Sequence, residues 1–374
     1  MRRYKILHTE ASTGWGGQEI RILSESAGLT KRGHEVMIAC QPGSVISERA
    51  SNQGIGTFVI RLGGAFDVAG IRHLSALIRR REVDIVNTHS SKDSWCAGLA
   101  AKLSGGAKVI RTRHLSIPIK RSLESKLLYR TLPDAVVTTG EALREHVIER
   151  TGLCPERVVS IPTGIDLAKF DPTVVDGSGV RAEFGIATDV PFIGTVGMLR
   201  IMKGHSYFLE AASRVVKKCP EAKFLIVGDI AFSSPIKVQL ASLVDELGIG
   251  DRIIMAGYRE DIPEVMAALD VFVLPSIRNE GVPQVISQAM AMKKPVVATD
   301  VGAIREQVMD GETGLTVEKA DAGQLARAIL AFLEDPEKAR RMGENGRKLV
   351  EEKFSLDAML DATEALYQRL LVPQ

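Results

Sequence analysis

The chain has 374 residues, 45% hydrophobic and 25% charged, a composition ordinary for a soluble globular protein with room for two domains. Aromatic residues are only 5%, giving no base-stacking platform for a nucleic-acid partner. The four cysteines (Cys40, Cys96, Cys154, Cys219) are scattered, which argues against a zinc site, a disulfide framework or a redox dithiol. The net charge of +2 hides an asymmetry: residues 1–170 hold 25 Lys+Arg against 16 Asp+Glu, and the remainder holds 23 against 30.

Met1-Arg2-Arg3-Tyr4-Lys5 leads straight into a strand without the apolar core of a signal peptide, and no run is long enough to span a bilayer. A cytoplasmic protein is expected, with peripheral contact at the inner face of the cytoplasmic membrane as a further expectation for the basic first half. Strands are predicted over 5–9, 35–40, 57–62, 84–89, 108–114, 135–139 and 158–162, with amphipathic helices over 18–31, 71–81 and 94–103. The Gly/Pro/Asp-rich stretch 164–191 reads as turn-rich linker. The alternation restarts with strands over 192–197, 223–229, 252–257, 271–275 and 295–300, and helices over 324–334, 337–353 and 356–371 close the chain. Such apolar strands separated by helices predict parallel sheets covered on both faces. The expected architecture is α/β, two doubly wound domains: 1–170, a linker 171–190, 191–350, and a helical segment 351–374 packing back on the first domain.

Candidate chemistry falls at predicted carboxyl ends of strands, where open α/β sheets bind ligands. After the first strand, Gly14, Gly16 and Gly17 let backbone approach a ligand at a helix start. His89-Ser90-Ser91 and Arg111-Thr112-Arg113-His114 end two further strands. His114 is the better candidate to meet a phosphate or a sugar hydroxyl, and His89 is equally readable as a packing partner. Arg200 and Lys203 follow the strand 192–197 and supply a forked and a point charge for phosphate. Asn279-Glu280-Gly281-Val282-Pro283 follows 271–275, with Gln288 eight positions after Glu280 on a helix. The segment 119–130 carries Leu123, Leu127 and Leu128 among cations; it packs on its own sheet by default and rests on a membrane surface as the alternative.

These motifs together resemble a family 4 retaining glycosyltransferase of the GT-B fold over essentially the whole chain. The matching segments are Gly16-Gly17-Gln18-Glu19, His114, Pro162-Thr163-Gly164-Ile165-Asp166, Gly197 to Gly204, Glu280 to Gln288, 295–303 and Gly311-Glu312-Thr313-Gly314-Leu315. The resemblance implies a nucleotide-sugar donor, UDP-linked first and GDP-linked next, and a glycan or glycolipid acceptor. It implies two domains closing across a cleft, with no cofactor and no metal. Lys203 and Arg200 would bind donor phosphates, Glu280 the donor sugar, and Gly281, Val282, Gly16 and Gly17 would line the diphosphate. Tyr258 and Arg259 would border the nucleobase, Gln288 would meet the ribose, His114 would act in catalysis, and His89, Ser90 and Ser91 would face the acceptor. Two positions depart from the pattern. Met198 stands where an arginine is usual, leaving that charge to Arg200, and Gln288 replaces a glutamate. They motivate a rival expectation, a non-catalytic nucleotide- or glycan-binding descendant. Retention without a protein nucleophile implies a front-face route in which the leaving phosphate takes the acceptor's proton and the protein stabilises the diphosphate charge.

Overall fold

The computed structural model describes residues 2–114, 118–120, 122–229, 235–278 and 280–372; Met1 and Asn279, named above, and Arg121 of the segment 119–130 lie outside the described residues. Thirteen described strands form two wholly parallel sheets. The first contains β1 (Lys5–Glu10), β2 (Glu35–Cys40), β3 (Gly56–Val59), β4 (Ile85–Thr88), β5 (Lys108–Arg113), β6 (Ala135–Thr138) and β7 (Val158–Ser160), in the order β3-β2-β1-β4-β5-β6-β7. The second contains β8 (Phe192–Val196), β9 (Lys223–Val227), β10 (Ile253–Gly257), β11 (Val271–Leu274), β12 (Val296–Thr299) and β13 (Leu315–Val317), in the order β10-β9-β8-β11-β12-β13. Every residue of β4, β8, β11 and β12 is buried, as continuous apolar strands between two helix layers require. β13, three residues at a sheet edge, is not among the predicted strands.

Two compact units result: the chain up to Gly164 together with the stretch from Leu356 onward, and Ile165–Ser355. In the first unit the closing helix Leu356–Leu371 covers the sheet, placing Met359, Leu360, Leu366 and Tyr367 against Tyr4, Ile6, Leu29 and Ile110. Gly28 makes its approach possible, since a Cβ there would lie 2.5 Å from Leu360 Cδ1. Arg32, just past the helix Gly17–Lys31, bonds Asp357, Asp361 and Glu364 at 3.0, 2.6 and 2.6 Å. The segment 119–130 divides: Leu128 and Tyr129 are buried in the first unit, whereas Leu123 is 73% exposed.

The structure corrects the linker reading of 171–190, which belongs to the second unit. Its helix Ser178–Glu183 seats Val180 in the core beside Phe170 and Ile186. Arg181 bonds the carbonyls of Ala268, Ala187 and Val190 and the Asp270 carboxylate. Glycine and proline marked turns here, but the turns are pinned. Gly177 lies so close that a Cβ would sit 2.2 Å from Ala268 N, a backbone atom that cannot rotate away. Gly177→Ala is therefore expected to destabilise the second unit by about 1–3 kcal/mol, read as a lower urea midpoint; a free linker would show no change.

Candidate functional site

The order of the second sheet reverses between β8 and β11, so the loops leaving their carboxyl ends become neighbours. Backbone contacts lock them together: Ile277 N donates to Met202 O at 2.8 Å, and Gly204, at φ +68°, leaves no room for a side chain beside Pro275 O. Lys203 Nζ consequently donates to Glu280 Oε1 at 2.6 Å, and Ser276 Oγ donates to the same oxygen at 2.5 Å. Gly302, at φ +62°, packs on Glu280 O, where a Cβ would sit 1.9 Å away. Glu280 is only 7% exposed, so pairing offsets the cost of burying its charge.

Arg200 is exposed, immediately before the 3₁₀ turn Ile201–Lys203, and among the described residues no carboxylate pairs with it. Neighbouring His205 is buried and pushed down to about 4, first by burial and then by the Lys203 charge, so it is neutral. Pro283 caps the helix Gln284–Ala291 from outside rather than opening its first turn. Val282 is buried, Gly281 half-buried, and Gln288 sits half-buried one turn along that helix. Tyr258 and Arg259 follow β10, two strands from β8, a lateral offset of about 10 Å. The Arg259 side chain is committed to Glu183 at 2.7 and 2.8 Å and to Asp261, and these carboxylates raise its pKa. Tyr258 is 55% exposed.

The first sheet reverses between β1 and β4. Gly16 caps the helix Gly17–Lys31 with an extended φ of −169° that any residue adopts, so its φ does not explain its being glycine. The loop is built on Glu10, which accepts from Ser12 N at 2.7 Å and Gln18 Nε2 at 2.5 Å. Asp93 accepts from His89 N, Ser90 N and Thr9 Oγ1 at 2.7, 2.7 and 2.9 Å. Ser90 is thus the hydroxyl of a capping box with Asp93, and Ser91 Oγ accepts from Arg111 Nη2 at 3.3 Å. Both serines do structural work in this conformation.

Three imidazoles line up across β1, β4 and β5. His8 Nδ1 contacts His89 Nε2 at 3.0 Å, His89 Nδ1 contacts His114 Nε2 at 2.9 Å, and the first two rings stack with centroids 5.3 Å apart. At the inner end His8 Nε2 lies 4.0 Å from Glu25 Oε1, and Glu25 pairs with the buried Arg21. Burial holds all three histidines below the ordinary range. The other rings and Arg21 lower His89 further, and Arg21 then His8 do the same for His114. Sequence reasoning singled out His89 and His114, gave Glu10 and Asp93 no role within the segments it singled out, and missed His8 and Ser276. Only the Ser90-x-x-Asp93 spacing carried a legible signal, a capping box.

Burial, then the nearby Asp93 charge, pushes the Glu10 carboxyl from 4.5 up to about 8. An unfolded chain releases that proton near 4.5 while the folded one holds it until about 8, so this group makes stability fall as pH rises across that window. Urea midpoints followed across it are expected to decline less steeply in Glu10→Gln than in the wild type; identical slopes would refute the assignment.

A family model described as Glycosyltransferase Family 4 matches residues 15–169, and one described as Glycosyl transferases group 1 matches residues 179–349. The chain is 25% identical over 384 residues to the UDP-Gal:alpha-D-GlcNAc-diphosphoundecaprenol alpha-1,3-galactosyltransferase of Escherichia coli, spanning 99% of this chain and 98% of that one. It is 30% identical over 254 residues to the lipopolysaccharide core biosynthesis mannosyltransferase LpsB of Rhizobium meliloti (strain 1021), spanning 66% and 68%. Among solved structures, a glycosyltransferase from Rickettsia africae ESF-5 matches with TM-score 0.91 over 100% of both chains at 24% identity. Anabaena Alr3699/HepE in complex with UDP matches with TM-score 0.87 over 98% of this chain and 100% of that one at 20% identity. These likenesses give the fold, GT-B, with its two Rossmann-like domains. With matches running from the glycine loop through the helix of Gln288, the chain belongs to glycosyltransferase family 4.

Proposed function

We propose that this protein transfers a sugar from a nucleotide-diphosphate donor, UDP-linked in the first instance, to a lipid-linked or polysaccharide acceptor, with retention of anomeric configuration and without a metal. The observation that carries the reading is the Lys203–Glu280 pair at the reversal of the second sheet. A buried carboxylate suits sugar hydroxyls, and Lys203, exposed Arg200 and the start of the helix Gln284–Ala291 offer positive charge to a diphosphate. Negative charge building on the leaving diphosphate is stabilised there, and that diphosphate takes the acceptor's proton. Gln288 still offers an amide oxygen to a ribose hydroxyl, without a charge-assisted bond. The galactosyl and mannosyl relatives, and UDP in the Anabaena protein, support this donor and acceptor class.

Glu280→Ala is expected to bind the nucleotide and lose transfer, and Lys203→Ala to lower kcat by about 10²–10³-fold. Product stereochemistry by NMR should show retention, and EDTA should leave turnover unchanged. Full transfer by Glu280→Ala would overturn the role given to this carboxylate, whereas nucleotide binding without transfer by the wild type would favour a non-catalytic binding protein.

A lipid-linked acceptor supports a cytoplasmic enzyme working beside a membrane. Among the described residues no helix is long and apolar enough to cross one. Peripheral contact is supported by an exposed group at the β3–helix loop of the first unit: Phe66 at 97%, Val68 at 60%, and the exposed Arg61 and Arg72. An aromatic ring among cations is the chemistry of an anionic bilayer surface. Phe66→Ser should weaken sedimentation with vesicles containing anionic lipid by about tenfold, and added salt should weaken the wild type. Equal binding of both proteins would remove this patch from consideration.

A further inference from the structure

We propose that the His8–His89–His114 chain fixes the tautomer of His114, so that it presents a bare Nδ1, a hydrogen-bond acceptor, to its substrate; His8 and His89 are positioning residues. The argument is a count of protons. His8 is fully buried and His89 nearly so, and the fixed positive charge of Arg21 stands near the chain, all of which disfavours an imidazolium. Three neutral rings carry three ring protons, one each. The ring–ring contacts at 3.0 and 2.9 Å need one proton apiece. One proton is left for two ends: His8 Nε2, facing the Glu25 carboxylate at 4.0 Å, or His114 Nδ1.

Glu25 decides. It is the partner of Arg21, whose Nε lies 3.4 Å from Glu25 Oε2, with both side chains at 2% exposure or less. A lone pair on His8 Nε2 would face this anion across a low-dielectric interior, whereas an N–H pointing there is attracted. With the proton on His8 Nε2, His8 Nδ1 accepts from His89 Nε2–H, and His89 Nδ1 accepts from His114 Nε2–H. Nothing is left for His114 Nδ1, and among the described residues no group bonds it. Glu25, on the helix after β1, therefore sets what His114 can recognise two rings away. The substrate group at Nδ1 must be a donor, such as a sugar hydroxyl, and a carboxylate there is refused.

The substrate consequence rests on the glycosyltransferase reading, but the tautomer does not, and the test separates them. Two-bond ¹H–¹⁵N correlation on protein labelled at histidine nitrogens, near neutral pH, distinguishes protonated from bare nitrogens. The expected result is a protonated Nε2 and a bare Nδ1 on His114 in the wild type. A protonated Nδ1, a tautomer mixture or a charged ring would overturn the proposal. His89→Phe keeps a ring in place without a nitrogen, so His114 should become a mixture and kcat/KM should fall about tenfold, one hydrogen bond's worth. Glu25→Gln tests the anchor, and an unchanged His114 pattern there would refute its role. The expected tautomer in a protein that transfers no sugar would refute the function alone.

Discussion

The reversal of strand order, once in each sheet, is the constraint on which the rest depends. A strand that continues a parallel sheet on the other side of its predecessor leaves two carboxyl ends side by side with chains departing in opposite directions. In the second sheet the two departing loops are those of Lys203 and Glu280, residues 77 positions apart that end 2.6 Å apart. In the first sheet they are the loop of Glu10 and the turn of His89, with His114 on the next strand. Motif glycines serve this geometry more than their own flexibility. Gly204 and Gly302 let one loop lie directly on the carbonyl of the other, which is why the carboxylate and ammonium are held in register.

The two sites use charge differently. In the second unit a buried carboxylate is matched by a partly exposed ammonium, and an exposed guanidinium stands nearby without a carboxylate among the described residues. The pair is internally neutral, and the guanidinium leaves the group with one net positive charge. In the first unit the buried polar groups satisfy one another: Asp93 collects two backbone N–H groups and a threonine, Glu10 holds its proton past neutrality, and the imidazoles bond in a row. The partnerships these groups do make fix which of their atoms face outward.

Much of this was legible in the chain. Continuous Val/Ile/Leu/Phe runs bounded by turn residues report strands buried on both faces, so the parallel sheets and twelve of the thirteen described strands followed from pattern alone. The three-residue β13 did not, because Leu315-Thr316-Val317 follows a turn-rich stretch, whereas the equally short β7 lies inside the longer run 158–162. Glycine, proline and aspartate in 171–190 announced turns correctly but not their packing, since composition does not register that Gly177 touches the Ala268 backbone. His114, Lys203 and Glu280 were found from their places after strands. His8 was given no role, because inside β1 it looks like a break in an apolar strand, and Glu10 was read only as part of the loop that follows.

The sequence by itself determined the elements, the ends of the strands where chemistry gathers, and the family, because each is encoded in local spacing or short motifs. Only the tertiary structure decided that Lys203 and Glu280 are each other's partner, that Arg259 is spent on Glu183, and that Glu25 faces a row of histidines. These depend on which strands are neighbours, and periodicity reports burial and direction for each strand without its position in the sheet.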